Sequence, residues 1–273
     1  MLATLGWGVG DFGGGLTSRR APVLGVLGGS QVASLLVAIP LFLSRTEPAM
    51  TSTDMLISVA GGLLGALGLA LLYRGLAIGR MGVVAPVAAV LTATLPVVFG
   101  FWRDGVPSVL AIVGIALAMG SVVLVSRAPQ DVNDVRPSGI KYALAAGTTF
   151  GLFTISASFL SKDAVVGPVV LIRIASILAI AGFLLIRRGQ WRVPRRYWPA
   201  LFAVGVIDMA ATAAYLGAIS IGPLAIAAIL ASLYPVVTTI LATVVLREKV
   251  TASHAIGILA AGAAVALIAG AGA

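Results

Sequence analysis

The chain has 273 residues, 60% hydrophobic and only 10% charged, with a mean hydropathy of +1.11, more apolar surface than a soluble domain of this size can hide. Lys and Arg outnumber Asp and Glu by 18 to 9, yet no basic helix interleaved with aromatics and no nucleic-acid motif is present, so no nucleic-acid partner is expected. Cysteine is absent and His254 is the single histidine, which excludes disulfides, iron–sulfur clusters and multi-histidine metal sites; no cofactor is expected.

In chain order, apolar blocks of bilayer-crossing length alternate with charges, Pro and turn clusters. They predict ten spans near 2–18, 23–43, 55–78, 82–102, 108–126, 139–160, 167–187, 198–220, 222–246 and 252–270. No basic segment precedes Leu2–Leu16, so this stretch reads as the first span and not as a cleavable signal. The longest connections, Arg127–Ser138 and Arg187–Tyr197, are too short for a soluble domain. The expected partner is the lipid bilayer, and the expected state is a monomer.

The chain also matches itself. A shift of 143 places Trp7-Gly8 on Phe150-Gly151 and Ser18-Arg19 on Ser161-Lys162. A shift of 142 places Tyr73-Arg74-Gly75 on Tyr215-Leu216-Gly217. A shift of 144 places Arg103-Asp104-Gly105-Val106 on Arg247-Glu248-Lys249-Val250. The expectation is two related halves, 1–126 and 139–273, joined by 127–138. Five spans per half is an odd number, so the halves must lie oppositely in the membrane. The predicted fold is an all-α integral membrane protein with ten transmembrane helices in two inverted five-helix repeats. Secondary transporters are built this way, with the substrate near the midplane.

These motifs resemble the ten-span EamA-type members of the drug/metabolite transporter superfamily over nearly the whole length. Trp7-Gly8 resembles the Trp-Gly near the start of each half, with Phe150-Gly151 its weaker copy. Gly167-Pro168 with Arg173 resembles the Pro-then-Arg of the second span; the first half keeps Pro22, with Ser30 in place of Arg. Tyr234-Pro235, Leu246-Arg247-Glu248, Gly257 and Gly262 resemble the fourth and fifth spans of a repeat. In the first half Asp104 replaces the Glu. The resemblance implies export of metabolites or drug-like compounds through a central cavity.

Ionisable side chains at membrane depth are costly and therefore functional candidates. Asp208 leads, near the middle of the eighth span, with Thr212 and Tyr215 on the same helix face. Burial favours a neutral carboxyl, which suits proton or cation binding; the alternative is a packing role between helices. Asp11 shares a face with Trp7 inside the glycine run Gly6–Gly15. Arg173 lies six residues into its span and reads as a snorkelling residue or an anion binder. Gln31, Tyr73, Thr92, Ser156 and Tyr234 complete the candidates, against the alternative of interhelical hydrogen bonding. The fifth and tenth spans carry almost nothing polar and are expected at the lipid-facing edge.

Two motif matches fail on context. Gly8–Gly13 fits GxGxxG, but no strand precedes it. Gly8-Val9-Gly10-Asp11 fits the GxGD of intramembrane aspartyl proteases, with Asp208 as second acid, but Ile207 stands where the partner motif needs Tyr.

Thirteen Lys and Arg fall in odd-numbered connections and three in even-numbered ones, which places the odd connections in the cytoplasm and the termini outside. The resemblance implies termini inside. The functional expectation is a secondary transporter in the inner cell membrane. It exports a small metabolite or drug-like substrate by alternating access, with coupling to protons through Asp208 or Asp11. The alternatives are a gradient-independent facilitator of amino acids or similar metabolites and, remotely, an aspartyl protease.

Overall fold

The computed structural model describes residues 1–44, 47–79, 81–126, 139–187, 190–246 and 252–271. The connection 127–138 and the Arg247-Glu248 part of the motif lie outside the described residues. So do Arg45, Arg80, Arg188 and Lys249, which entered the charge count.

The described residues form eleven α-helices and one 3-10 turn, with no strand. The helices are α1 (Leu2–Ser18), α2 (Val23–Leu43), α3 (Ser52–Ile78), α4 (Met81–Asp104), α5 (Val109–Ser126), α6 (Ile140–Ala157), α7 (Val166–Arg187), α8 (Trp198–Ile221), α9 (Leu224–Ala231), α10 (Tyr234–Leu246) and α11 (Ala252–Ala271). Their starts follow from local chemistry. Pro22 and Pro223 stand at the N-caps of α2 and α9, where fixed φ and a missing N–H cost nothing. Thr51 and Asp54 close a reciprocal capping box on α3. Six segments among the described residues are long and apolar enough to cross a membrane. Large apolar side chains cover the outer surface, Leu36, Leu178, Leu185 and Ile186 among them, as a lipid solvent requires. This is a multi-pass membrane protein.

The expected ninth span is broken. α9 ends at Ala231 and α10 starts at Tyr234. Pro235 has no N–H to offer the Ala231 carbonyl, and the chain passes the break on tighter bonds, Leu233 N to Leu230 O and Val236 N to Leu233 O. α4 carries Thr92 in the corresponding region and runs through unbroken.

One end of the bundle is tied by side chains of the even-numbered connections. Glu47 accepts from the N–H groups of Val165, Val166 and Gly167 at the start of α7. Asp54 accepts from Ser161 N and Oγ, both at 2.8 Å. Arg103 donates to the Ser158 carbonyl and hydroxyl.

Contacts recur at a displacement of about 143 residues. A Cβ on Gly62 would meet the Ile172 carbonyl and Ala175, while one on Gly205 would meet the Ser30 carbonyl and Ala33. A Cβ on Gly8 would meet the Tyr234 carbonyl and Val237; one on Gly151 would meet the Leu91 carbonyl and Leu95. The larger helix pairings follow the same exchange: α3 packs on α7 as α2 packs on α8, and α3 on α6 as α1 on α8. α5 and α11 pack chiefly on each other.

Candidate functional site

The recurring contacts at Ser30 and Ile172 and at Ala33 and Ala175 pair Gln31, not Ser30, with Arg173 at an offset of 142. The two side chains meet. Arg173 Nη1 donates to Gln31 Oε1 at 3.0 Å, and Nη2 donates to Thr212 Oγ1 at 2.7 Å and to the Asp208 carbonyl at 3.3 Å. Nη1 also lies 2.9 Å from Asp208 Oδ2. Arg173 is 4% exposed. The snorkelling expectation is therefore corrected. The guanidinium stays at depth because a carboxylate, an amide, a hydroxyl and a carbonyl converge on it, which is what a buried charge requires.

This network forms part of the wall of an internal cavity of about 70 Å³. The wall is built largely from corresponding positions. Trp7 and Phe150 both line it, as do Asp11 and Thr154, Gly65 and Asp208, and Leu69 and Thr212. The lining positions recur at an offset of 143 while their chemistry does not: α8 has an acid and a hydroxyl where α3 has a glycine and a leucine.

A second, larger recess of about 480 Å³ opens at the end of the bundle that holds the even-numbered connections, lined in part by Arg103, Ser158, Lys162 and Leu216. It lies one helical turn from the cavity, because Ala157 follows Phe153 on α6 and Leu216 follows Thr212 on α8.

Residues 137–270 match the EamA-like transporter family. The chain belongs to that family. No curated protein matches it. A crystal structure of a protein with 17% sequence identity shares the fold, with a TM-score of 0.72 over 98% of each chain. An EamA-like protein is a membrane transporter, so a lipid bilayer and a small-molecule substrate are its partners.

In this EamA-like chain, seven of the sequence-derived site residues line the cavity: Trp7, Asp11, Thr92, Arg173, Asp208, Thr212 and Tyr234. Gln31 stands behind the wall, bonded to Arg173. Tyr215 does not share the cavity face with Asp208 and Thr212. It is 1% exposed and packs its ring 5.3 Å from that of Trp7; seven residues on from Asp208 carry it about 10 Å along the helix axis. Tyr73 is in the core, against the Gly14 position of α1. Ser156 turns away and donates to the Phe153 carbonyl of its own helix. Among the described residues, none of α5 or α11 reaches the cavity.

The sequence reading passed over Gly65, Phe150, Phe153, Thr154 and Ser176, all on the wall. Ser176 sits one turn beyond Arg173 and donates to the Gly62 carbonyl. The aspartyl-protease reading needs Asp208 to share a proton with Asp11, but its carboxylate is turned to Arg173.

Proposed function

We propose that this chain is a secondary transporter of ten helical passes in two inverted halves, 1–126 and 139–273. It exports a small metabolite or drug-like compound across the inner cell membrane by alternating access. The observation that carries this reading is the cavity wall, where corresponding positions of the two halves face one space. A space of about 70 Å³ holds only a few waters, so passage of a substrate requires it to widen. Rocking of one half against the other would join it to the neighbouring recess on one side and to the opposite side in turn.

No nucleotide motif is present in the sequence, so a gradient supplies the energy. A carboxyl on the cavity can carry a proton between the two sides. Asp208 is held by Arg173, which leaves Asp11 as the acid available for coupling. The same pairing favours a second reading, a facilitator independent of any gradient, because it takes one of two cavity acids out of exchange.

The test is flux through reconstituted protein. Gly65 lines the cavity, and a Cβ there would meet nothing within 4 Å. Gly65→Leu should fill the space and abolish flux of any transported compound, with thermal stability kept. Flux at the unmodified rate in a stable Gly65→Leu protein would place the substrate path elsewhere.

A further inference from the structure

Asp11 is the acid in the cavity that the Arg173 network leaves without a basic partner. Among the described residues, three charged side chains line the space: Asp11, Arg173 and Asp208. Arg173 engages Asp208, Gln31 and Thr212 through its two Nη groups, while its Nε has no hydrogen-bond partner. Asp11 is 7% exposed, lines the space, and receives no hydrogen bond or ion pair among the described residues. A carboxylate at this depth without a partner is costly and invites a positive ligand. The wall therefore has one acid in excess of its bases. It also carries the rings of Trp7, Phe150, Phe153 and Tyr234, and aromatic faces attract cations.

We propose that the site selects a monovalent organic cation, an ammonium on a ring-sized apolar body, with its charge on Asp11 and its body among the four rings. This rests on the transporter reading and gives it a substrate class. A zwitterion would need a cationic group for its carboxylate, and among the described lining residues the one cation has both Nη groups already engaged. An anion would meet Asp11 with nothing to neutralise it. The carbonyl oxygens and hydroxyls around the network add acceptors and no further positive charge.

One indole series separates these cases: tryptamine (cation), tryptophan (zwitterion) and indole-3-acetate (anion), with benzyltrimethylammonium as a permanent cation. Binding is measured on purified full-length protein by calorimetry and by the rise in thermal stability. The two cations should bind at least about tenfold more tightly than the other two compounds, since an ionic partner is at stake. Asp11→Asn should lose about tenfold or more of cation affinity. Asp11→Glu, which keeps the charge, should retain most of it and controls for folding. Tryptophan or indole-3-acetate binding as tightly as tryptamine overturns the proposal. So does unaltered cation binding by Asp11→Asn, or failure of both cations to bind. Flux in proteoliposomes separates the two readings: cations that bind but never cross would sink the transporter reading alone. Tryptophan carried in place of the cations would sink the cation site alone.

Discussion

Gln31 and Arg173 stand 142 residues apart, near the offset at which the chain matches itself, and are hydrogen-bonded to each other, Nη1 to Oε1 at 3.0 Å. In a two-fold arrangement, a residue touches its own counterpart only beside the axis. On the proposed two-fold arrangement the bond lies beside the axis; the guanidinium pairs with Asp208 on α8, and α3 has Gly65 at the position 143 residues earlier.

The pair is expected to be structural as much as functional. Arg173→Met leaves Asp208 buried without a counter-charge and should destabilise the protein by roughly 3–5 kcal/mol. Pairing it with Asp208→Leu removes both charges and should restore most of that loss. Melting of the three variants in one detergent checks this; a double variant no better than Arg173→Met would mean that the guanidinium's bonds to Gln31 and Thr212 matter more than the ion pair.

The recurrent glycine contacts make a paired prediction. Gly62→Ala presses a methyl on the Ile172 carbonyl, and Gly205→Ala presses one on the Ser30 carbonyl. Each should cost roughly 1–3 kcal/mol by overpacking a helix contact, and the two costs should be similar. Gly65→Ala on the same helix as Gly62 meets open space and should be neutral or slightly stabilising, because alanine is the better helix former. Thermal melts of the three variants give the comparison directly.

Much of this was legible in the sequence, and the rest was hidden for physical reasons. Asp11, Arg173, Asp208 and Thr212 stand out because a polar group in an apolar helix has few explanations. Gly65, Phe150 and Phe153 look like ordinary packing residues, and composition alone does not separate a cavity wall from a helix contact. The repeat held a usable signal: Gly65 is the counterpart of Asp208 and Phe150 that of Trp7, so the offset projects one half's polar sites onto the other. The break before Tyr234 was signalled by Pro235, but Pro40 lies within α2 without breaking it. Proline by itself does not decide between a kink and an interruption.

Glu47 is expected to act as an anchor between connections. Its carboxylate accepts from three backbone N–H groups at the start of α7, where the helix dipole favours a negative charge. Glu47→Ala should cost about 1–2 kcal/mol. Glu47→Gln should recover part of this, since the amide oxygen still accepts. Stability measured in low and high salt separates the charge contribution, which salt screens.

The charge bias of the connections predicts an orientation. The chain has no cysteine, so single cysteines report accessibility without background. Lys162 and Gln190 are both exposed and lie in even- and odd-numbered connections. In intact cells, a membrane-impermeant maleimide should label Lys162→Cys. It should label Gln190→Cys only after the membrane is opened, because Lys- and Arg-rich connections stay in the cytoplasm. The reverse pattern would put the termini inside, as the family resemblance implied.

Energy coupling separates the two cavity acids. Asp208 faces Arg173 at 2.9 Å, so its carboxylate has a fixed partner, whereas Asp11 has none among the described residues. Benzyltrimethylammonium keeps its charge at every pH, so its flux in proteoliposomes reports the carrier's own response to a pH gradient. In unmodified protein, the gradient should accelerate this flux. Asp208→Asn keeps the shape and hydrogen-bonding capacity of the side chain. It should lower stability but leave the ratio of flux with the gradient to flux without it unchanged. Asp11→Asn should abolish the flux. A loss of gradient response confined to Asp208→Asn would return the coupling role to Asp208. Flux indifferent to the gradient in the unmodified protein would identify a facilitator.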